Sequence, residues 1–128
     1  MLNYKTISIA STVLTAILFL SLLLVPDVIF WVFSIEAGDA AYFIARRASI
    51  LFLGLAILSF MSRDAQHSAL RQNIILAMCV LWALMALMGL FELARAYAGF
   101  GILLAIFAEI GFAFGYFLIF KKHSDKKE

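Results

Sequence analysis

A chain of 128 residues in which 66% are hydrophobic, 14% charged and only one is proline is unlike a soluble domain, where about half the residues are apolar and about a quarter charged. Nearly all of its surface must face lipid or itself. The formal charge of +2 is too small to point to a nucleic-acid partner, and its excess lies in Lys121, Lys122, Lys126 and Lys127, which suit a membrane surface.

The first hydrophobic stretch, residues 6–25, follows Lys5 and ends in Leu-Leu-Leu-Val-Pro. It has no small-x-small cleavage site and is longer than a usual signal core, so it reads as a retained span. Ser8, Ser11, Thr12 and Thr15 fall within about 100° of one another at helical spacing and form one polar stripe along it. The connector DVIFWVFSIEAG, residues 27–38, is too short to cross a bilayer and too apolar to float in water. Val28, Trp31, Val32 and Ile35 share one face, and tryptophan favours the membrane boundary, so the expectation is a short interfacial helix. Gly38 should break it, and Asp39 should cap the next span.

The remaining spans are expected at residues 40–60, 73–91 and 98–120, each long enough for one crossing at about 20 residues. The fold class is therefore all-α: a transmembrane four-helix bundle in one domain, residues 1–120, followed by a basic tail, residues 121–128, expected to be disordered. Strands of a membrane barrel would show alternating segments about half as long. Lys5, Arg63, Arg71 and the tail flank one side of the spans, whereas Asp27, Glu36, Asp39 and Glu92, with Arg95, flank the other. Basic flanks stay in the cytoplasm, so both termini are expected there.

The third span carries Met78, Cys79, Met85 and Met88, soft donors that read as core packing because neither His67 nor His123 lies in a span. That also excludes a haem held by two histidines inside the bundle. Cys79 is the only cysteine, which leaves no intramolecular disulfide or dithiol couple. No catalytic residue, metal site or cofactor is expected.

The chemistry centres on Glu109, an acid inside the fourth span. A charge in the hydrocarbon core costs about 3 kcal/mol or more unless it is paired or solvated. Arg46 and Arg47 lie about 9 to 11 Å below the outer start of the second span and Glu109 about 16 Å below that of the fourth, a difference an arginine can cover. Adjacent helical residues diverge by about 100°, so one arginine is expected to pair with Glu109 while the other snorkels to headgroups or meets Glu36, Asp39 or Glu92. Thr15 sits at about the depth of Glu109, and Tyr116 follows on the face of Glu109. The pair would either fix helix register or open a path through Thr15 and Tyr116 toward the cytoplasm. Gly111 and Gly115 form a GxxxG helix-packing surface on the side of the fourth span away from Glu109.

The stretch YFIARRASILFLGLAILSFMSR, with a short polar loop, a third span and a fourth holding one glutamate, resembles small four-span bacterial inner-membrane proteins of no established activity. It is less similar to the small multidrug exporters, whose key glutamate lies in the first span. It also lacks the glycine-rich and Thr-Thr-Phe-Ser signatures of small fluoride channels.

The sequence thus favours a structural or accessory membrane protein whose buried Arg-Glu pair specifies assembly. The alternative is a small proton-linked or anion transporter or channel using Arg46 or Arg47 and Glu109. An enzyme is disfavoured, since no nucleophile or convincing acid/base pair is visible. The expected partners are the lipid bilayer and either further copies of the chain or a larger membrane complex, with no nucleic acid; the sequence identifies no small-molecule or lipid ligand.

Overall fold

The structure, a computed structural model, describes residues 2–124; Met1 and residues 125–128, including Lys126 and Lys127, lie outside the described residues. Five helices follow in order: α1 Tyr4–Leu24, α2 Pro26–Phe33, α3 Asp39–Ser62, α4 Ala69–Ala94 and α5 Ile102–Ser124. No strand occurs among the described residues. All but α2 are long and apolar enough to cross a membrane.

Local chemistry sets the helix ends. The Asn3 side chain accepts a hydrogen bond from the Thr6 amide at 2.8 Å and starts α1. Ser68 accepts from the Arg71 amide at 3.2 Å. This cap starts α4 upstream of residue 73, where the apolar stretch begins, and brings Arg71 and Gln72 into the helix. Pro26 opens α2, where its missing N–H loses no bond. The short helix ends on Ser34 in the left-handed conformation, φ 53°, well before Gly38. Gly38 is the N-cap of α3 and Asp39 its first residue, so the carboxylate acts on the helix dipole and does not cap. At the C-terminus, α5 continues through Lys121 and Lys122 to Ser124, and the first part of the expected disordered tail is helical.

Packing follows side-chain size. α1 lies closely against α3, and α4 against α5, while the two pairs meet chiefly through α1 and α5. Small residues permit the close approach of α1 and α3: Ser8, Ser11 and Thr15 on one helix, Ala45, Ser49, Ala56 and Ser59 on the other, all buried. Ser59 bonds Ser11 and Tyr4 bonds Ser62, which makes the pair antiparallel. Large side chains keep the two pairs apart: Tyr4, Ile7, Ile75, Met78, Trp82, Tyr116 and Ile119 form one continuous core. Within it the rings of Trp82 and Phe112 stack at 5.0 Å.

Both ends of the bundle are tied. Where α1 begins and α5 ends, the Tyr4 hydroxyl donates to Ser62 Oγ at 2.9 Å, the Arg71 guanidinium lies 4.6 Å from the centre of the Tyr4 ring, and Lys5 pairs with Asp64 at 2.7 Å. At the opposite end the segment after α4 docks onto α2: the Gly99 amide donates to the Phe33 carbonyl at 2.6 Å. A Cβ on Gly101 would run into the Val32 carbonyl, and one on Gly99 would lie 2.5 Å from Ser34 Oγ. This docking, with Ala96 left-handed at φ 61°, takes residues 98–101 out of the expected fourth span, and α5 begins at Ile102. The two glycines of the GxxxG motif differ: Gly115 packs on Ile7 of α1, whereas a side chain on Gly111 would meet nothing within 4 Å.

Gly101→Ala should therefore cost about 1–3 kcal/mol, the range for overpacked sites, because the obstacle is backbone, while Gly111→Ala should stay within about 1 kcal/mol of the parent. Reversible unfolding in mixed micelles, followed by circular dichroism, compares them. Equal stability of the Gly101 variant and the parent would show that α2 and the α4–α5 connection are not in contact.

Asp64 lies in the polar α3–α4 connection, and its carboxyl is held below the ordinary value by the hydrogen bond from Lys5, with the charges of Lys5 and Arg63 adding to it. A depressed folded value means that the contribution is fully present above about pH 4, the unfolded value for aspartate, and is lost as pH falls through the folded value. Thermal unfolding from pH 7 to pH 3 should show this acid limb, and Asp64→Asn should flatten it. The effect should shrink in about 1 M salt, since both partners are exposed.

Candidate functional site: a hydroxyl-lined interior with one carboxyl

The polar stripe of α1 faces inward. Ser8, Ser11 and Thr15 are buried, and α3 adds Ser49, Ser59 and Ser62. Thr12, Thr15 and Ser49 turn back on their own helices. Thr15 donates to the Ser11 carbonyl at 2.7 Å, Thr12 to that of Ser8 at 2.8 Å, and Ser49 to that of Arg46 at 2.6 Å. This back-bonding satisfies a hydroxyl without a partner helix and lets the backbones approach. Apart from the Tyr4–Ser62 bond at their ends, the links between α1 and α3 are longer: Ser59 Oγ to Ser11 Oγ and Thr12 Oγ1 to the Ala56 carbonyl, both at 3.5 Å. From α5, the fully buried Tyr116 turns its hydroxyl toward those of Ser11, Ser8 and Ser59.

Glu109 lies on the same inward face of α5 as Ile102, Ile106, Tyr116 and Ile119, all of them buried, and is itself 7% exposed. Contacts with α4 fix its level. Ile106 fills the space above Gly89, Phe112 stacks on Trp82, and Cys79 Sγ donates to the Ala113 carbonyl at 3.3 Å. Glu109 therefore sits between the Gly89 and Trp82 levels of the neighbouring helix. Among the described residues its Oε2 has no hydrogen-bond partner, and neither does the buried Trp82 Nε1. Such orphaned atoms each cost about 1–3 kcal/mol.

The expected Arg46 or Arg47 pair with Glu109 is not formed within the chain. Among the described residues the ion pairs are Lys5–Asp64 and Arg63–Asp64, at the far end of the bundle. Depth is not the obstacle: Arg46 and Glu109 each lie about 10 Å along their helices. The obstacle is azimuth. Ala45 and Ser49 are buried against α1, and residues four apart share a face, which turns Arg46 and Arg47 to the outside of α3. In addition, α3 and α5 belong to different helix pairs.

The arginines are both exposed. Although adjacent helical positions diverge, both border a single open groove of about 620 Å³ with Asp39, Tyr42, Phe43 and Ile50. These positions recur every three or four residues and make one stripe along α3. The Arg47 guanidinium lies 5.7 Å from the centre of the Phe43 ring, and the Tyr42 hydroxyl bonds Asp27 of α2.

Sequence reasoning did not find Ser49, Ser59 and Ser62 of α3, or Tyr4 and Trp82. A signal for α3 was present, since Ala45, Ser49, Ala56, Ser59 and Ser62 are small residues at helical spacing. The chain matches no family model, no curated protein and no solved structure.

This placement gives a sharp expectation for a double-mutant cycle between Glu109→Gln and either Arg46→Gln or Arg47→Gln. The coupling should stay within about 0.5 kcal/mol, the additivity seen for independent sites. Breaking a buried pair would instead cost about 3–5 kcal/mol. Unfolding in bicelles measures it, and a coupling of that size would place the arginine against the carboxyl.

Proposed function

We propose that this protein is a structural or accessory component of a membrane, multi-pass in a bacterial inner membrane, whose polar interior specifies how its helix pairs assemble. The observation that carries this reading is the closed α1–α3 seam: Ser8, Ser11, Thr15 and Ser49 are at most 1% exposed, and the bonded hydroxyls among them, Ser11, Thr15 and Ser49, reach groups on the two helices themselves. Interhelical polar contacts in membranes average about 0.6 kcal/mol. Such a seam therefore selects register and partner more than it adds stability. The basic residues Lys5, Arg63, Arg71, Lys121 and Lys122 mark the cytoplasmic end, and α2 lies at the opposite interface with Trp31 and Val28 exposed.

The second reading is a small proton-linked or anion transporter or channel. It is favoured by Glu109 Oε2 and Trp82 Nε1, which have no partner among the described residues, since water or a permeating species would satisfy atoms of this kind. The arginines stand outside such a path.

Reconstitution separates the two. Liposomes holding a pH-sensitive dye, with a pH step across the membrane, should show the same proton leak with the parent protein, with Glu109→Gln and without protein. A flux that the parent carries and Glu109→Gln abolishes would overturn the structural reading. The assembly role further predicts that Ser11→Ala costs no more than about 1 kcal/mol, whereas Ser11→Leu, which forces α1 from α3, costs about 1–3 kcal/mol.

A further inference from the structure

Two adjacent arginines at about 10 to 12 Å along a span, exposed and without a carboxylate partner among the described residues, pose a physical problem that the described fold does not solve internally. Each costs about 3 kcal/mol at the centre of a span if nothing compensates it. The surface around them is lipid-compatible: Phe43, Ile44, Ile50 and Leu51 are all more than half exposed. An anion must reach the arginines from the membrane, or their side chains must reach toward one.

The groove they border supplies more than positive charge. Asp39 stands at its mouth, in the first turn of α3, while Phe43 and Ile50 provide apolar wall. Arginine side chains lean toward the nearer interface by about one helical turn, which carries both guanidinia toward the level of Asp39. The stripe then reads, from the interface inward, as a carboxylate, a pair of guanidinium forks beside the Phe43 ring, and the apolar side chain of Ile50. A phospholipid with a primary-amine headgroup has the complementary order: ammonium, phosphate, acyl chain. Guanidinium forks match phosphate oxygens with parallel N–H donors, and an ammonium with three N–H groups can donate to a carboxylate.

We propose that the groove formed by Asp39, Tyr42, Phe43, Arg46, Arg47 and Ile50 binds one aminophospholipid, with its phosphate on Arg46 and Arg47, its ammonium on Asp39 and an acyl chain along Phe43 and Ile50. The inference rests on the membrane placement of the chain and is independent of the role given to the seam.

Native mass spectrometry of the full chain in non-ionic detergent tests it, with dioleoyl phosphatidylethanolamine, phosphatidylcholine, phosphatidylglycerol and dioleoylglycerol offered at equal concentration. Phosphatidylethanolamine should be retained about tenfold more than phosphatidylcholine, whose trimethylated nitrogen has no N–H to donate, and more again than dioleoylglycerol, which lacks the phosphate. Arg46→Gln combined with Arg47→Gln should lower its binding by about tenfold or more, and Asp39→Asn should remove its advantage over phosphatidylcholine. Equal retention of phosphatidylethanolamine and phosphatidylcholine would overturn the proposal, as would binding indifferent to both arginines. Tighter binding of phosphatidylglycerol would overturn the role of Asp39 and leave an anionic-lipid site. The comparison among lipids on the parent chain needs no variant, so it stands even if a substitution prevents folding. A lipid preference without Glu109-dependent flux, or the reverse, separates this site from the reading of the interior.

Discussion

The close approach of α1 and α3 is the constraint on which the rest of the molecule depends. In lipid, two helices gain little from hydrophobic burial against each other, and association rests on packing and on polar contacts. Ser8, Ser11 and Thr15 meeting Ala45, Ser49, Ala56 and Ser59 provide both, because small side chains bring the backbones together while Thr15 and Ser49 bond carbonyls of their own helices and Ser59 bonds Ser11 across the seam. Once this face of α3 is committed to α1, its rotation is settled. Arg46 and Arg47 are then carried outward, and the two helix pairs must be joined by larger side chains elsewhere.

The charged groups inside the spans thus meet different fates for one reason. Glu109 shares a face with residues that α5 uses for its core, so it is taken inward with Ile106 and Tyr116. The arginines occupy the face that α3 does not use. A buried ion pair would have required that α3 present Arg46 or Arg47 where it presents Ala45 and Ser49, and neither residue is small enough for that contact. Close packing of the first pair and internal pairing of Glu109 with these arginines are mutually exclusive in this arrangement.

How far the fold could be read in advance follows from the same distinction between depth and direction. Span number, approximate limits and a short helix after the first span were legible, because hydropathy reports the long apolar stretches and the connector after them is too short to cross a bilayer and too apolar for an open loop. The helix ends were read less well. The Ser68 cap extends α4 beyond its apolar stretch, and the docking of Gly99 and Gly101 on α2 delays α5 to Ile102, an effect that depends on a contact distant in sequence. For the interior, Glu109, Thr15 and Tyr116 are buried as expected, whereas Arg46 and Arg47, one of which was expected beside Glu109, are both exposed on the outside of α3. Depth alone puts either Arg46 or Arg47 within reach of Glu109, whereas the small face of the second span, which settles its rotation, turns both away. Tyr116 shows the contrast, since its companions Ser8 and Ser11 lie on the polar stripe of α1 that was already visible.

The two ends of the bundle bear on whether the interior can open. At the Tyr4 end, the ties are side-chain contacts with exposed charges, Lys5 and Asp64 among them, which water and salt weaken. At the α2 end, the tie is a backbone hydrogen bond from Gly99 to Phe33, with two glycines fitted against main chain and Ser34. A displacement of one helix pair against the other would strain the second tie, because it has no flexible side chain to absorb the motion. At the Tyr4 end the core of Tyr4, Ile7, Ile75, Tyr116 and Ile119 and the short α3–α4 connection also join the two pairs, so neither end parts without separating packed side chains or backbone. Glu109, nearer the α2 end than Tyr116 on the same helix, lies behind the backbone closure, and its carboxyl is held in the interior by the same packing that leaves it without a partner among the described residues.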